Sequence, residues 1–207
     1  MKLLVLGATG GTGREIAKQA LKLSHEVTVL ARDPAKVGEN RVRVVQGDAA
    51  DESAVARAVS GQDAVLSSLG RGNSLRSDNL FARTLPVIVR AMEKQGVRRL
   101  VVVSAYGVGD TGRDAPFVTW LAHRLMLRDV FADKLAGEQA IRRSSLDWTI
   151  VYPTILTNGP RTSRYRAGER LELAGQLPNI SRADVAEFVL RQLSDASYVR
   201  KGAIVTQ

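Results

Sequence analysis

Residues 2–16 read Lys2-Leu-Leu-Val-Leu-Gly7-Ala-Thr-Gly10-Gly-Thr-Gly13-Arg-Glu-Ile16, an apolar run followed by three spaced glycines and the start of a helical pattern. Gly7 suits a turn too tight for a side chain, Gly10 leaves the backbone bare enough to admit a pyrophosphate, and Gly13 lets a helix pack closely on a strand. The helix start then offers free N–H groups and the positive end of its dipole to an anion. The stretch predicts a strand, a dinucleotide-binding turn and a helix, in that order.

The residues that follow strengthen this prediction, which needs support because glycine turns that hold no ligand also occur. Ile16, Ala17, Ala20 and Leu21 repeat at helical spacing, and a second apolar stretch runs from Glu26 to Leu30. A glycine motif between a strand and a helix, in a unit that continues into a second strand, is the context in which such a turn binds a dinucleotide.

Strand and helix signals alternate along the sequence, which is the pattern of a parallel sheet covered by helices on both faces. The predicted strands are Lys2 to Leu6, Glu26 to Leu30, Val42 to Gln46, Ala64 to Ser67, Leu100 to Val103, Trp148 to Val151 and Ala203 to Thr206. The predicted helices are Gly11 to Leu23, Ser53 to Val59, Asn79 to Glu93, Phe131 to Arg143 and Arg182 to Leu193. We expect an α/β fold with a doubly wound, mostly parallel sheet in a single domain over residues 1–207.

Two polar, glycine-containing stretches interrupt this alternation, Gly107 to Ala115 and Thr157 to Gln176. Both follow predicted strands, and ligands bind outside the carboxyl ends of the strands in open parallel sheets. We therefore expect substrate-side loops at about residues 105–120 and 153–178, with plain connections as the alternative.

The composition favours a cytoplasmic protein that does not associate with membranes. Hydrophobic residues make up 44% and charged residues 25% of the chain, and no segment reaches the roughly 18 apolar residues of a membrane span. The first apolar run is too short for a secretory signal. The helical patterns are amphipathic, with no extra apolar face, so a monomer is expected.

Metal sites and nucleic-acid binding are both disfavoured. The chain has no cysteine and two histidines, and no Asp, Glu or His cluster has the spacing of metal ligands. The net charge of +9 comes from scattered lysines and arginines, without a basic run of five or interleaved aromatic residues. We expect this charge to attract an anionic cofactor rather than a nucleic acid.

Several motifs occur in one order over nearly the whole chain. They are Gly7-Ala-Thr-Gly-Gly-Thr-Gly13, Val29-Leu-Ala-Arg-Asp33, Gly47-Asp48, Gly61-Gln-Asp-Ala-Val65, Val102-Val-Ser-Ala105, Asp147-Trp-Thr-Ile-Val-Tyr-Pro153 and Ile180-Ser-Arg-Ala-Asp184. The series resembles the atypical short-chain dehydrogenase/reductases, most closely their biliverdin IXβ reductase and flavin reductase branch. The resemblance implies a Rossmann-type fold that binds NAD(P)H and an oxidoreductase activity.

The resemblance implies a pyrophosphate site in the glycine-rich turn and a 2′-phosphate site beyond the second strand. The residues of the turn are Gly7, Thr9, Gly10, Gly11, Thr12 and Gly13, of which Thr9 either contacts a phosphate or braces the turn. Arg32 stands where an NAD-preferring enzyme places an acidic residue for the ribose 2′-hydroxyl. A cation there favours NADPH over NADH, although Asp33 follows immediately.

Four further residues have implied contacts with the cofactor. Asp48 would accept a hydrogen bond from the adenine amino group, or cap the next helix, or both. Leu69 and Gly70 would lie beside the adenosine ribose, with a tight turn as the alternative for Gly70. Lys134 would contact a ribose, or would be an ordinary solvated helix lysine.

Ser104, at the end of the fifth predicted strand, is the candidate catalytic residue. In the family this serine lies beside the nicotinamide and can orient or polarise a substrate, whereas a serine ending a strand is otherwise a common structural residue. Candidate substrate-lining residues are Tyr106, Trp120, Tyr152, Thr154 and Ile155. Their aromatic and apolar groups could stack on a planar acceptor, or could simply be core.

One departure from the family pattern narrows the expected chemistry. The usual Tyr-x-x-x-Lys motif, whose tyrosine is the acid, occurs nowhere in the chain, and the residue four positions before Lys134 is Val130. A ketone needs a positioned acid to become an alcohol, whereas conjugation stabilises the reduced anions of flavins such as FMN or riboflavin, of biliverdin-type tetrapyrroles and of quinones. We expect an NADPH-dependent reductase of such small planar acceptors. The alternative is a non-catalytic NADP(H) sensor of the NmrA-like type, which shares the fold and also lacks the acid.

Overall fold

The computed structural model describes residues 1–39, 41–70, 78–112, 128–173 and 178–207, in which ten strands and five α-helices occur. The strands are β1 (Lys2–Leu6), β2 (Glu26–Ala31), β3 (Arg43–Gln46), β4 (Ala64–Ser67), β5 (Arg99–Val103), β6 (Asp147–Pro153), β7 (Ile155–Thr157), β8 (Arg166–Gly168), β9 (Asn179–Ser181) and β10 (Lys201–Thr206). The helices are α1 (Gly11–Lys22), α2 (Glu52–Val59), α3 (Leu80–Gln95), α4 (Arg128–Arg143) and α5 (Arg182–Arg191).

Eight strands form one sheet in the order β3-β2-β1-β4-β5-β6-β10-β8. All neighbours are parallel except β8, which runs antiparallel to β10. The strand order reverses between β1 and β4, which is the switch point where doubly wound sheets bind dinucleotides. The predicted fold class is confirmed.

The core lies on both faces of this sheet. Leu3 and Val5 of β1 face the α1 and α5 side, whereas Leu4 and Leu6 face the side of α2, α3 and α4. All four side chains are fully buried. Burial on both faces explains why the central strands are continuous apolar runs and do not alternate with polar residues.

All seven predicted strands occur, with ends that differ by at most two residues. Three short strands were not predicted: β7 pairs with β9 in a separate two-stranded sheet, and β8 joins the main sheet. A three-residue strand is too short to show a periodic pattern, and its pairing depends on a distant partner. As a result, β8 lies inside the stretch expected to be a loop.

The helix starts are capped in different ways. Asp51 caps α2 by accepting from the Ser53 N–H, and Ser181 caps α5 by accepting from the Asp184 N–H. The start of α3 is capped from another helix, because the Asp133 carboxylate of α4 accepts from the N–H groups of Phe81 and Ala82 at 3.1 and 2.9 Å. Gly10 precedes α1 and provides no side-chain cap.

Candidate active site

A cavity of about 530 Å³ opens outside the carboxyl ends of β1, β2, β3 and β4. Seven of the predicted cofactor residues line it: Gly7, Thr9, Gly10, Arg32, Asp48, Leu69 and Gly70. They come from four separate segments of sequence, and the parallel strands bring them together because their carboxyl ends share one edge. The cavity lies at the switch point, where the cofactor of such a fold is expected.

The three spaced glycines do different work. Gly7 has φ +79°, and a Cβ there would lie 2.5 Å from the Ser68 carbonyl oxygen. A Cβ on Gly13 would overlap the Gly7 carbonyl oxygen, so these two glycines allow the helix, the turn and β4 to pack. A Cβ on Gly10 would meet only the Gly7 oxygen, at 3.4 Å. Gly10 therefore leaves open space, which is what a pyrophosphate requires.

The start of α1 adjoins this open space and is suited to an anion. It has no side-chain cap and no acidic residue in its first turn. Within the described ranges, no protein acceptor faces the N–H groups of Gly11 and Thr12. Unsatisfied N–H groups and the positive end of the helix dipole are the elements of a phosphate site.

The structure gives the neighbouring residues Arg32 and Asp33 different surroundings. The Asp33 carboxylate accepts from the Ala35 N–H at 3.1 Å and pairs with Lys36 at 3.2 Å. Arg32 is exposed, lines the cavity and has no carboxylate partner in the part of the chain that the structure describes. Arg83 of α3 lines the same cavity. No sequence pattern indicates a role for Arg83, which resembles an ordinary solvated helix arginine.

Asp48 lines the cavity, and one of its carboxylate oxygens accepts from the Ala50 N–H at 2.8 Å. The cap of α2 is Asp51, whose carboxylate accepts from the Ser53 N–H at 2.9 Å. The alternative that Asp48 caps the next helix is therefore wrong. Its contact with adenine stays a prediction.

Lys134 of α4 is not a solvated helix lysine. Its Nζ lies 3.8 Å from the centroid of the Phe81 ring, and its side chain is partly buried. Burial lowers the pKa of Lys134 to about 8, against the opposing effects of Glu138 and Asp133. An ammonium held so close to an aromatic ring is attracted to its face. Its contact with a ribose stays a prediction.

Ser104 is the first member of a buried polar chain that links β5, α4 and β6. Its hydroxyl lies 2.6 Å from Glu138 Oε1, and the Tyr152 hydroxyl lies 2.6 Å from Oε2. Arg142 Nη2 lies 2.9 Å from the Tyr152 oxygen and 3.7 Å from Glu138 Oε2. Glu138 is fully buried, and Ser104 is 6% exposed.

The direction of each hydrogen bond in this chain follows from Arg142. A guanidinium can only donate, so the Tyr152 oxygen accepts from Arg142 and donates its single proton to Glu138. Arg142 also pairs with Glu138, whose carboxylate oxygens accept both hydroxyl hydrogen bonds. Ser104 therefore donates its proton to Glu138 and presents oxygen lone pairs to its surroundings. Burial and then the Glu138 charge raise the pKa of Tyr152, so this phenol is a poor acid.

The candidate substrate wall needs correction at two positions. Tyr152 is 2% exposed, with its hydroxyl bonded to Glu138 and its ring against Gly202. Thr154 is also buried, 3.1 Å from the Thr206 hydroxyl. These two residues belong to the core, because their polar atoms already have partners on neighbouring elements. Tyr106 is partly buried and Ile155 is 46% exposed, whereas Trp120 lies outside the described residues.

Sequence reasoning missed Glu138, which looks like an ordinary charged residue of a polar helix. The one available signal was its neighbour Gly137. A glycine in the middle of a helix marks a close approach, and a Cβ there would lie 2.7 Å from the Phe81 backbone. This contact brings α4 against α3 and carries Glu138 into the interior.

Comparison with known proteins agrees with the cavity and its glycine turn. The model of the NAD(P)H-binding family matches residues 7–196. The chain belongs to this family. It is 31% identical over 205 residues to the UPF0659 protein YMR090W of Saccharomyces cerevisiae, covering 93% of this chain and 87% of the yeast protein. It is 33% identical over 159 residues to the (4-alkanoyl-5-oxo-2,5-dihydrofuran-3-yl)methyl phosphate reductase of Streptomyces griseus, covering 75% of this chain and 49% of that enzyme.

Solved structures share the fold over almost the whole chain. ChuY of Escherichia coli O157:H7, described as an anaerobilin reductase, has a TM-score of 0.80 at 24% identity, over 99% of this chain and 96% of ChuY. A short-chain dehydrogenase/reductase of Veillonella parvula in complex with NADP has a TM-score of 0.81 at 20% identity, over 100% of this chain and 94% of that one.

Two properties of the described residues bear on other functions. None of their helices combines the length and the apolar composition that a membrane crossing requires. They also contain no group of three His, Asp or Glu side chains placed to hold a metal ion.

Proposed function

We propose that the protein is an NADPH-dependent reductase that delivers hydride to a small, planar, conjugated acceptor. The acceptor class is a flavin such as FMN or riboflavin, a biliverdin-type tetrapyrrole or a quinone. The observation that carries the proposal is the direction of the Ser104 hydrogen bond. Ser104 donates to the buried Glu138 carboxylate and so has no proton to offer a substrate oxygen.

The residues of the cavity fit NADPH. The open backbone at Gly10 and the uncapped start of α1 would hold the pyrophosphate, and Arg32 would hold the 2′-phosphate. Arg83 is a second cation at the same cavity, while Asp33 is turned away to Lys36. Bound NADPH would supply a hydride. The protein would supply orientation and exclusion of water, which accounts for a large part of catalysis when two reactants must meet.

The proposed acceptor class follows from the two hydroxyl groups of Ser104 and Tyr152, which are not available as proton donors to a substrate. Reduction of a ketone leaves an alkoxide, which needs an acid at hydrogen-bond distance. In the described part of the site, Ser104 and Tyr152 both direct their protons to Glu138. An acceptor whose reduced anion is stabilised by conjugation can take its proton from water. The reductase names of the Streptomyces relative and of ChuY support a reductase of this kind.

One observation favours a second candidate, a non-catalytic NADP(H) sensor. Ser104, which the family resemblance implies lies beside the nicotinamide, is only 6% exposed and is already hydrogen-bonded. A sensor needs the cofactor cavity but no reactive group beside the nicotinamide. Turnover separates the two candidates, since a sensor binds NADPH without consuming it.

The test is NADPH oxidation by the purified protein, followed by the loss of nicotinamide absorbance. The acceptors are FMN, riboflavin, a quinone and biliverdin, with a simple ketone as the control. The proposal expects oxidation with at least one conjugated acceptor and none with the ketone. Equal or faster oxidation with the ketone would refute the acceptor class. NADPH binding without oxidation by any acceptor would favour the sensor.

The proposed reductase acts as a monomer on a small molecule and needs no metal. Gel filtration with light scattering tests the oligomeric state. Activity that survives dialysis against a chelator is the expected result for a reductase whose hydride comes from NADPH alone.

A further inference from the structure

Arg182, the first residue of α5, lies across the glycine-rich turn although it is far from that turn in sequence. A Cβ built on Gly11 would lie 2.7 Å from Arg182 Cδ and 2.9 Å from Nε. The arginine therefore occupies the space that a side chain at residue 11 would need. This gives Gly11 a role apart from the three spaced glycines of the motif: it makes room for a cation.

The neighbouring Gly10 faces a different environment. Its Cβ position is open apart from the Gly7 carbonyl oxygen, whereas the Gly11 position is filled by the Arg182 stem. The space above Gly10 is where a pyrophosphate would lie. Arg182 packs against the next residue of the turn, with its Cζ 3.8 Å from the Cβ position of Gly11. The guanidinium therefore lies next to the start of α1, where the Gly11 N–H has no protein acceptor in the described ranges.

The charge of Arg182 is available to a ligand. Its Nη1 donates to the Asn158 side-chain oxygen at 2.7 Å, a neutral partner that fixes the guanidinium without neutralising it. No carboxylate pairs with Arg182 in the described ranges, whereas Arg161 in the same region pairs with Glu187. Arg182 is partly buried, so its charge is less screened than that of a fully exposed arginine.

We propose that Arg182 is a cofactor-binding residue that contacts the pyrophosphate of NADPH at the glycine-rich turn. Arg32 would hold one end of the cofactor through the 2′-phosphate, and Arg182 would hold its middle. Asn158 is then a positioning residue, which keeps the guanidinium over the turn. The inference rests on the NADPH-binding part of the proposed function.

The test compares NADPH with a ligand that lacks both its pyrophosphate and its nicotinamide riboside. NADPH carries both the 2′-phosphate and the pyrophosphate, whereas adenosine 2′-monophosphate carries only the former. Calorimetric titration measures both affinities for the wild type, Arg182→Met and Arg182→Lys. Methionine keeps an unbranched apolar stem over Gly11 and removes the charge. Arg191→Met, at the other end of the same helix, is the control for loss of one positive charge.

Arg182→Met is expected to lower the affinity for NADPH about tenfold, which is the effect of losing one charge-assisted hydrogen bond. Its affinity for adenosine 2′-monophosphate should be unchanged. Arg182→Lys should recover part of the loss, and Arg191→Met should bind as the wild type does. Unchanged NADPH affinity in Arg182→Met overturns the inference. Equal losses for both ligands also overturn it, because Arg182 would then act only on the shape of the cavity. If the wild type fails to bind NADPH, the proposed function itself is wrong.

Gly11→Ala tests the same contact from the opposite side. The added methyl would displace the Arg182 side chain without removing its charge. Gly11→Ala should lower the affinity for NADPH when Arg182 is present and have little further effect in the Arg182→Met background, since coupled residues give non-additive changes. Full additivity would show that the two residues act independently and would contradict the proposed contact.

Discussion

Ser104→Ala is a test of stability as well as of catalysis, because Ser104 donates to a fully buried carboxylate. The substitution leaves Glu138 Oε1 without its hydroxyl donor. Tyr152 continues to donate to Oε2, and Arg142 continues to pair with the charge. Glu138 therefore loses one of its hydrogen-bond donors and keeps its other partners, so the variant is expected to fold.

The magnitude follows from the kind of bond that is lost. A hydrogen bond to a charged group contributes about 1.5–3 kcal/mol, and the removed atom is too small to leave a large cavity. For a protein of 150–250 residues, 1 kcal/mol corresponds to about 2–4 °C in Tm. We expect Ser104→Ala to lower the free energy of unfolding by about 2 kcal/mol and Tm by about 4–8 °C.

The assay measures urea unfolding, Tm, NADPH affinity and turnover with the best acceptor for the wild type, Ser104→Ala and Tyr152→Phe. Tyr152→Phe is the matched control, because it removes the other hydroxyl donor to Glu138 at a position buried in the core. Both variants should lose stability. Only Ser104→Ala should lose turnover at saturating NADPH, with NADPH affinity little changed.

Two results would refute this reasoning. Wild-type stability of Ser104→Ala would show that Ser104 does not stabilise the buried carboxylate. Equal loss of turnover in both variants would show that Ser104 acts only through the packing of Glu138, and not at the acceptor.

Three further predictions concern the cofactor cavity and α4. In a fluorescence titration, Arg32→Glu should lower the affinity for NADPH about a hundredfold and the affinity for NADH only slightly, because the 2′-phosphate loses a cation and meets an anion. Equal losses of affinity would contradict the proposed contact between Arg32 and the 2′-phosphate. Gly10→Ala should fold normally and lose NADPH binding. Gly13→Ala should lower the free energy of unfolding by about 1–3 kcal/mol in urea, because its methyl group would overlap the Gly7 carbonyl oxygen. The reverse pattern would show that the roles of the two glycines are wrong. Lys134 has a pKa of about 8 against an ordinary 10.5, so the unfolded chain binds more protons between these values and wild-type stability rises with pH across that window. Lys134→Met should therefore be about 1–2 kcal/mol more stable than the wild type at pH 7, and this difference should shrink above about pH 8. A difference that stays constant with pH would show that it does not come from the charge of Lys134.

Much of the cofactor cavity could be predicted because its residues follow strands in the sequence. Arg32 and Asp48 stand directly after apolar runs, and the alternation of strands and helices brings those positions to one edge. The parallel topology converts local signals into a site. The same logic located Ser104 at the end of β5.

The rest of the site depends on contacts between elements that are distant in sequence. Glu138 reads as a surface residue until Gly137 packs against Phe81 and turns that face of α4 inward. Arg182 reads as the first residue of a capped helix, and only the packing of α5 beside α1 places it over Gly11. Tyr152 belongs to the continuous buried run of β6, but the sequence of that run does not show that its hydroxyl lies beside a buried carboxylate. In each case the deciding partner belongs to another element.

The capping of the helices has a consequence for how a dinucleotide finds its place. Asp51, Asp133 and Ser181 already bind the first N–H groups of α2, α3 and α5, and two of these caps bring a negative charge of their own. A phosphate is therefore repelled or left without donors at those helix starts. Among the helices whose starts the structure describes in full, α1 alone keeps its first N–H groups without a side-chain acceptor. The caps thus leave one helix start open to the pyrophosphate of a dinucleotide, before the adenine or the nicotinamide makes any contact.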